Sequence, residues 1–365
     1  SMKRTTFTKK SNKGVGGIVI PGTHPSLHNG LLLVSSGIPS LDVVLGGGLP
    51  VGSIMMIEED SGRRFSKIIM KYFLAEGVMS THSLFVASYD EKPQEIVEHL
   101  PKPVCKDTVS ASKTDDMKIA FRYRDLSTAS NSLDAPPKYG HFYDISQTMD
   151  EKDLENCEIE TLNLNETSDT DFPLLNTSLQ TILTKLKKMV SNSKFTAPKI
   201  LDPTTRLNVL RVTIPNLGSP VWCDNSNTSV SAITRFLHAL RSLARNCLMT
   251  CLITVPTHLY TPQQVTHIRH MVDCSIHLES FTGEKTNPVF IQFHGLLKIQ
   301  KLPCLNSLVP YIPESLDLGF ELKKTKFLIK CLHLPPDMSE TALDDRKTQK
   351  SSPCDGTTLH KKLDF

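Results

Sequence analysis

An apolar run, a polar turn and an amphipathic segment follow one another between residues 49 and 77, and this order limits the possible folds most strongly. Residues 51–57 are long enough for a buried strand. Apolar residues then recur at the spacing of one helix face: Phe65, Ile68, Ile69, Tyr72 and Phe73. Gly77 is placed to end this helix. A strand, a turn and a helix in this order are the setting of a phosphate-binding loop.

The turn over residues 58–67 lacks the residues that would bind phosphate. A working loop reads G-x-x-x-x-G-K-S/T, because its backbone amides, its lysine and its hydroxyl contact the phosphates and Mg²⁺. Here Gly62 is the single glycine of the turn, and no Gly-Lys-Ser/Thr triplet follows. The charged residues are Glu58, Glu59, Asp60, Arg63, Arg64 and Lys67. We therefore predict a nucleotide-binding scaffold without its phosphate contacts; an ordinary βα unit that never bound nucleotide fits the periodicity equally well.

Charge and cysteine content restrict the remaining possibilities. The chain has 365 residues, a net charge of +3 and nine cysteines without a C-x-x-C pair. Residues 1–20 are basic without an acid and predict a flexible N-terminal arm, while residues 335–365 predict a polar tail. The sequence shows no signal-peptide pattern and no apolar run of membrane-spanning length. We expect reduced thiols, no membrane association, and a location in the cytoplasm and nucleus.

Alternating strand and helix patterns predict the fold class. Apolar runs at 83–88, 207–214 and 248–255 are separated by amphipathic helical patterns, which favours an α/β fold with a mostly parallel central sheet flanked by helices. Further strand patterns at 296–301 and 327–333 have no helix between them, so that edge is predicted to be antiparallel. We predict one domain over residues 21–334. It carries a partly disordered insertion at about 101–172.

Two acidic residues follow the strand predicted at 83–88. Asp90 and Glu91 would lie beside the crevice where open α/β sheets bind ligands, and either is a candidate general base of an ATPase. Their alternative role, charge at the start of a helix, is favoured. Asn216 follows the strand at 207–214, roughly where an ATPase has a magnesium-organising aspartate. His267 and His270 have metal-like spacing but no committed third ligand, and we predict no metal site.

Several short runs carry a resemblance to known proteins. Residues 36–52 resemble the entry to the RecA/KaiC-like ATPase core. Further runs, in the expected order along nearly the whole chain, resemble the PAXNEB family, the family of Elongator complex protein 4. These runs are PGTHPS at 21–26, IEED at 57–60, KYFLAEG at 71–77, NLGSP at 216–220, PTHL at 256–259, LESF at 278–281, TNP at 286–288, LHLPPD at 332–337 and KLDF at 362–365.

The resemblance implies a RecA-like core with a degenerate phosphate loop and an accessory role. Family members assemble with Elongator proteins 5 and 6 into a hexameric ring with two copies of each. This ring docks on the catalytic subcomplex of Elongator proteins 1, 2 and 3, an acetyltransferase that modifies wobble uridine 34 of tRNA. The ring binds tRNA and responds to ATP. It follows that this chain is not itself an enzyme and binds no cofactor, while ATP is expected at ring interfaces.

The resemblance also suggests roles for individual residues. The carboxylates of residues 58–60 would pair with basic groups of a neighbouring subunit, and Arg63, Arg64 and Lys67 would pair likewise; a solvated turn is the alternative. Loops around residues 257–258 and 281–293 would face the central pore. Lys285, Lys298 and Lys301 are the candidate tRNA contacts, although solubilising lysines are equally favoured. The rival functions are an active RecA/KaiC-like ATPase, or a subunit whose arginine completes a neighbour's ATP site.

Overall fold

The computed structural model describes residues 20–26, 29–104, 140–165, 175–191, 193–196, 206–222, 226–283 and 292–332. The strands in this part are β1 Thr23–Pro25, β2 Leu32–Val34, β3 Leu49–Pro50, β4 Ile54–Glu58, β5 Ser83–Ser88, β6 Pro101–Pro103, β7 Tyr143–Thr148, β8 Ile159–Asn163, β9 Leu210–Ile214, β10 Met249–Val255, β11 Cys274–Ser280, β12 Gly295–Lys301, β13 Leu318–Leu322 and β14 Phe327–Cys331. The α-helices are α1 Pro39–Val44, α2 Arg64–Met79, α3 Pro93–Glu98, α4 Glu151–Glu155, α5 Leu175–Val190, α6 Ser226–Arg245 and α7 Pro262–Met271. Across the described ranges, every helix falls short of the length and apolarity required to span a membrane.

Nine strands form the central sheet in the order β14-β13-β12-β11-β4-β10-β9-β5-β8. The six strands from β11 to β8 pair in parallel, whereas β12, β13 and β14 add to the other side in antiparallel fashion. The predicted fold class is therefore confirmed as α/β, with a mostly parallel central sheet and antiparallel strands at its C-terminal edge.

Strand β4 lies inside the sheet and contributes to both hydrophobic cores. Successive side chains of a strand point to opposite faces. Met55 and Ile57 accordingly pack in the core that α2 covers, while Ile54 and Met56 pack in the core under α5 and α6. All five residues of β4 are buried, as expected for a parallel strand covered by helices on both faces.

Helix α2 runs past the glycine that was predicted to end it. The helix continues to Met79, and Ser80 takes the C-cap position. Gly77 lies inside it, where an added Cβ would stand 2.5 Å from Leu84 Cδ2 and 2.8 Å from Arg211 Cδ. The prediction of a helix stop at Gly77 is wrong, because this glycine allows the close approach of α2 to the sheet.

The insertion predicted at about 101–172 is described at 101–104 and 140–165. These parts form β6, β7, α4 and β8, none of which the sequence patterns predicted, and β8 extends the central sheet beside β5. The remainder of the predicted insertion, residues 1–19 of the arm and the tail at 335–365 lie outside the described residues.

The two ends of the parallel strands define two opposite edges of the sheet. The carboxyl ends of the six parallel strands lie at one edge, where the turn after β4 meets the segments that follow β5, β9 and β10. Strand β12 runs antiparallel to β11, so the loop at 302–317 that follows it lies at the opposite edge.

Candidate functional site: a phosphate loop filled by its own side chains

Asp60 occupies the N-terminus of α2. Its carboxylate accepts hydrogen bonds from the backbone N–H groups of Arg64 at 3.0 Å and of Phe65 and Ser66 at 3.2 Å each. The first N–H groups of a helix have no partner within the helix, and the helix dipole makes this end positive. In a phosphate-binding loop the same groups point at the bound phosphate. A buried side-chain anion of the chain itself therefore stands in the place of a phosphate.

Arg63 closes the turn on Asp60. It adopts the left-handed conformation, with φ of 54°, and its N–H donates to the Asp60 carbonyl at 2.9 Å. Its guanidinium lies 3.3 Å from a Glu59 oxygen and 3.0 Å from an Asp90 oxygen. A left-handed residue other than glycine costs about 1–2 kcal/mol, and these two ion pairs offset that cost.

Glu59 is buried against β10. The Thr254 hydroxyl donates to its carboxylate, and the same hydroxyl accepts the Asn216 N–H at 2.8 Å. Burial raises the pKa of Glu59, although the Thr254 hydroxyl and the Arg63 charge oppose this effect. Glu59 thus joins the turn to the ends of β10 and β9.

Glu58, the last residue of β4, is held by α7 and β11. Its carboxylate accepts hydrogen bonds from both Arg269 Nε and Arg269 Nη2, the second at 2.7 Å, and from the Ser275 hydroxyl at 2.9 Å. The Nδ1 atom of His277 lies 3.2 Å away. Burial alone would raise the pKa of Glu58, but the hydrogen bonds of His277 and Arg269 outweigh it, and this pKa is lowered.

The charged turn therefore does not offer the surface that the sequence predicted. Glu58, Glu59 and Asp60 are buried, and their carboxylates have partners within the chain. Lys67 pairs with Glu91. Arg64 differs from the others, because its side chain is exposed and lies 5.9 Å from the Phe65 ring, with no ion pair among the described residues.

Asp90 and Glu91 lie at the predicted edge but have ionic partners. Asp90 contacts the Arg63 guanidinium and accepts a hydrogen bond from the Asn216 side-chain amide. Glu91 pairs with Lys67. A general base needs to reach the proton that it abstracts, and these contacts direct both carboxylates toward protein donors. Asn216 brings a neutral amide to this edge, so it adds no negative charge that would hold Mg²⁺.

A cleft of about 440 Å³ lies beside the turn, between β11 and α7. Glu58 and Arg269 form part of its wall, together with Tyr260, His277 and Glu279. Within the described ranges, no group of three or more histidine, cysteine or acidic side chains is placed to hold a metal ion.

The two histidines of the H-x-x-H pattern lie on the exposed face of a helix. His267 and His270 are exposed on α7, whereas Asp273 is buried beyond the end of that helix. Asp273 lies 3.1 Å from Arg241 Nη2 and 2.6 Å from Arg245 Nη2, and it accepts the Ile54 N–H at 3.0 Å. It thus ties α6 to the start of β4.

The three candidate tRNA lysines have different surroundings. Lys285 lies outside the described residues. Lys298 is half-exposed on β12 and pairs with Glu279. Lys301 donates to the Val272 carbonyl at 2.6 Å and to the Arg269 carbonyl at 3.3 Å, and burial lowers its pKa. The ammonium group of Lys301 therefore caps the C-terminal end of α7.

Sequence reasoning missed a buried arginine in β9. Arg211 Nε donates to His82 Nδ1 at 3.0 Å, and Nη1 donates to the carbonyls of Ser35 at 2.9 Å and Phe73 at 3.0 Å. Its guanidinium carbon lies 4.6 Å from the centre of the Phe73 ring. The signal was a single charged residue within the apolar run at 207–214. Arg211 joins α2 to the central sheet and to the segment after β2.

Two buried acids belong to the same cluster: Glu76 interacts with the charge of Arg211, and Asp42 is connected to it through Ser35. Glu76 accepts hydrogen bonds from the Tyr143 hydroxyl at 2.7 Å and the His141 N–H at 3.1 Å, which fixes the segment before β7 on α2. Asp42 accepts the Ser35 hydroxyl and the Ser36 N–H, the latter at 2.7 Å. Burial raises the pKa of Asp42 to about 7.

Known proteins are similar to this chain over nearly its full length. The family model described as PAXNEB protein matches residues 17–365. Elongator complex protein 4 of Danio rerio is 38% identical over 99% of this chain and 96% of its own length. The Homo sapiens protein of the same name is 37% identical over 89% of this chain and 82% of its own length. Among solved structures, a KaiC-like protein from Pyrococcus horikoshii OT3 is 14% identical, with a TM-score of 0.49 over 82% of this chain and 99% of that chain.

Proposed function

The chain belongs to the PAXNEB family, and from this premise we propose that it is a non-catalytic RecA-like subunit of the Elongator complex. It assembles with Elongator proteins 5 and 6 into a hexameric ring with two copies of each. The ring docks on the catalytic subcomplex of Elongator proteins 1, 2 and 3, in the cytoplasm and nucleus. The ring binds tRNA and supports the modification of wobble uridine 34.

The position of Asp60 is the observation that carries the non-catalytic role. Three N–H groups that would bind a phosphate are already used by a carboxylate of the same chain. Bound phosphate would have to displace that carboxylate and would meet Glu59 beside it, so the repulsion of like charges opposes binding. The chain therefore holds no nucleotide cofactor of its own, and ATP in the ring would bind at sites that other subunits build.

We propose that tRNA binds at the carboxyl edge of the parallel strands. Lys298, with its half-exposed side chain, and Lys285 are the remaining candidates from the sequence. Contacts between lysine and phosphate release counterions, so the affinity should fall steeply as salt rises. Replacing Lys285 and Lys298 together by Ala in the assembled ring should reduce both the affinity and its salt slope, while Lys301→Ala should leave the slope unchanged.

Co-expression with Elongator proteins 5 and 6 tests the proposal directly. Native mass spectrometry should then give a hexamer with two copies of each subunit, and this hexamer should bind tRNA with a steep salt dependence. The isolated chain should show the same thermal stability with and without Mg²⁺-ATP, because a ligand that binds the native state would raise it. A wild-type chain that stays apart from both proteins, or that Mg²⁺-ATP stabilises on its own, would contradict the proposal.

The exposed guanidinium of Arg64 supports a second candidate function, in which this arginine completes the ATP site of a neighbouring subunit. Arg63 is held by Glu59 and Asp90, so Arg64 is the arginine of the turn that is directed outward. If the ring hydrolyses ATP, Arg64→Ala should lower the rate while Arg63→Ala changes mainly stability. A rate that is unchanged in assembled Arg64→Ala rings would reject this role.

A further inference from the structure

Large apolar side chains project into solvent from the loop at residues 308–316, here called the apolar loop. Leu308 is 101% exposed, Ile312 71%, Val309 63% and Leu316 57%. Single exposed apolar residues are common on protein surfaces, but several on one short segment mark an interaction site. The apolar loop is part of the connection between β12 and β13.

The backbone of this loop is held in place by a contact with a distant residue, Gly46, and by local hydrogen bonds. The Tyr311 ring lies against Gly46, where an added Cβ would stand 2.8 Å from Tyr311 Cγ. Pro313 is buried. The Ser307 hydroxyl donates to the Val309 carbonyl at 2.7 Å and accepts the Val309 N–H at 3.3 Å. An anchored loop loses little conformational freedom when a partner binds, which favours affinity.

The apolar loop lies away from the charged turn at residues 58–67. It follows β12, which runs antiparallel to the parallel strands, so it lies at the edge of the sheet opposite the turn that contains Asp60. A cleft of about 360 Å³ at this edge is lined in part by Leu305 and Asn306, at the start of the same connection. The Asn29 side-chain amide donates to the Leu305 carbonyl at 3.3 Å and fixes that start.

The charge of the segment indicates which kind of surface covers it. Residues 302–317 contain no lysine or arginine and carry two acids, Glu314 and Asp317. Membrane-surface segments depend on basic residues that attract anionic lipid headgroups, so this composition disfavours a lipid surface. A protein surface with an apolar groove and a rim of lysine or arginine would complement both features.

We propose that the apolar loop is the docking surface for a neighbouring protein subunit, which receives Leu308, Val309 and Ile312 in an apolar groove with a basic rim. This inference rests on the proposed function, in which Elongator proteins 5 and 6 are the neighbours. Fully burying one such side chain changes affinity roughly tenfold or more. Loss of all three should therefore weaken that contact about 1,000-fold.

The test compares full-length variants that are co-expressed with Elongator proteins 5 and 6. The triple variant Leu308→Ser, Val309→Ser, Ile312→Ser should bind its neighbour with a dissociation constant raised about 1,000-fold, measured by diluting the purified assemblies. Val221→Ser is the matched control, because Val221 is 55% exposed but follows β9 at the opposite edge of the sheet. The isolated triple variant should keep the wild-type melting temperature, since the three side chains are exposed.

A photo-crosslinker at Leu308 gives a second test that does not depend on a destabilised assembly. It should attach to a peptide of Elongator protein 5 or 6 that contains apolar residues next to lysine or arginine. An unchanged dissociation constant for the triple variant would overturn the inference and leave the proposed function intact. Crosslinks confined to a second copy of this chain, or binding of the loop to phosphatidylserine vesicles, would also overturn it. Failure of the wild-type chain to assemble would instead reject the proposed function, and the inference with it.

Discussion

Removal of the Asp60 carboxylate should uncover the phosphate-type site at the start of α2. Loss of an N-terminal cap costs about 1–2 kcal/mol, and a partly buried charge at a helix end contributes up to about 2 kcal/mol. The repulsion between Asp60 and the neighbouring Glu59 works in the opposite direction and reduces the sum. We therefore expect Asp60→Ala to lower the free energy of unfolding by about 2–3 kcal/mol. Asp60→Asn keeps an acceptor oxygen but no charge, and it should lose about half as much.

Urea unfolding of the full chain measures these differences, and sulfate distinguishes their cause. Once the carboxylate is gone, the three free N–H groups should accept an anion, and sulfate at about ten times its dissociation constant would restore about 1.4 kcal/mol to Asp60→Ala. The wild type should gain less from the same sulfate concentration. Ser61→Ala is the matched control, because Ser61 is exposed in the same turn. An Asp60→Ala chain with wild-type stability and the same sulfate response would refute the assignment of Asp60 as the occupant.

Three other substitutions test buried contacts, one at the charged turn and two near the middle and end of α2. Asp42 has a pKa of about 7 in the folded chain against 3.8 for an unperturbed aspartate, so its contribution to stability is fully present below pH 3.8 and is lost as pH rises through 7. Relative to wild type, Asp42→Asn should therefore gain up to ~4 kcal/mol between pH 4 and pH 8 in urea unfolding, whereas a constant difference would contradict the shift. The buried His82 has a pKa lowered to about 3, so its contribution to stability is lost as pH falls. Because His82 is present in both the wild type and Asp42→Asn, its effect cancels in the difference between them. Arg269→Ala should cost about 2–4 kcal/mol because it leaves the Glu58 carboxylate buried without its bidentate partner, and adding Glu58→Gln should recover part of the loss; no recovery would mean that Arg269 acts through packing alone. Gly37→Ala should cost about 2–4 kcal/mol, measured as a lower urea midpoint, because φ is +85° and the new Cβ would stand 2.3 Å from a backbone oxygen of α2; a near-neutral effect would show that α2 can shift there.

Local sequence patterns were sufficient for the elements that form the centre of the fold. The apolar run before residue 58 and the repeating apolar face after residue 64 predicted β4 and α2, because burial on one side imposes that spacing. The runs at 83–88 and 248–255 match β5 and β10 closely. Strand β8 was missed because three of its five residues are polar, which a strand at the end of a sheet tolerates.

The partners of the charged turn could not be predicted in the same way. Glu58 is paired with Arg269, which is 211 residues away, and Glu59 with Thr254, which is 195 residues away. A sequence shows the charge but not whether a distant element will enclose it, so three adjacent carboxylates were interpreted as surface. Asp60 is different, because its partners are four to six residues ahead and aspartate is a preferred residue before a helix. That local signal is present in the sequence.

The same contacts explain how this scaffold can be stable without a nucleotide. In a nucleotide-binding loop, bound phosphate satisfies the N–H groups at the helix start, so stability depends on the ligand. Here Asp60 satisfies those groups, and Glu58 and Glu59 join the turn to α7, β11 and β10. The elements around the site are thus held by covalently attached anions, whose occupancy does not change with ATP concentration. A conformational response of this subunit to ATP would therefore have to come from outside its own loop. Arg64 and the apolar loop, which are exposed at opposite edges of the sheet, are where such contacts with neighbouring subunits would act.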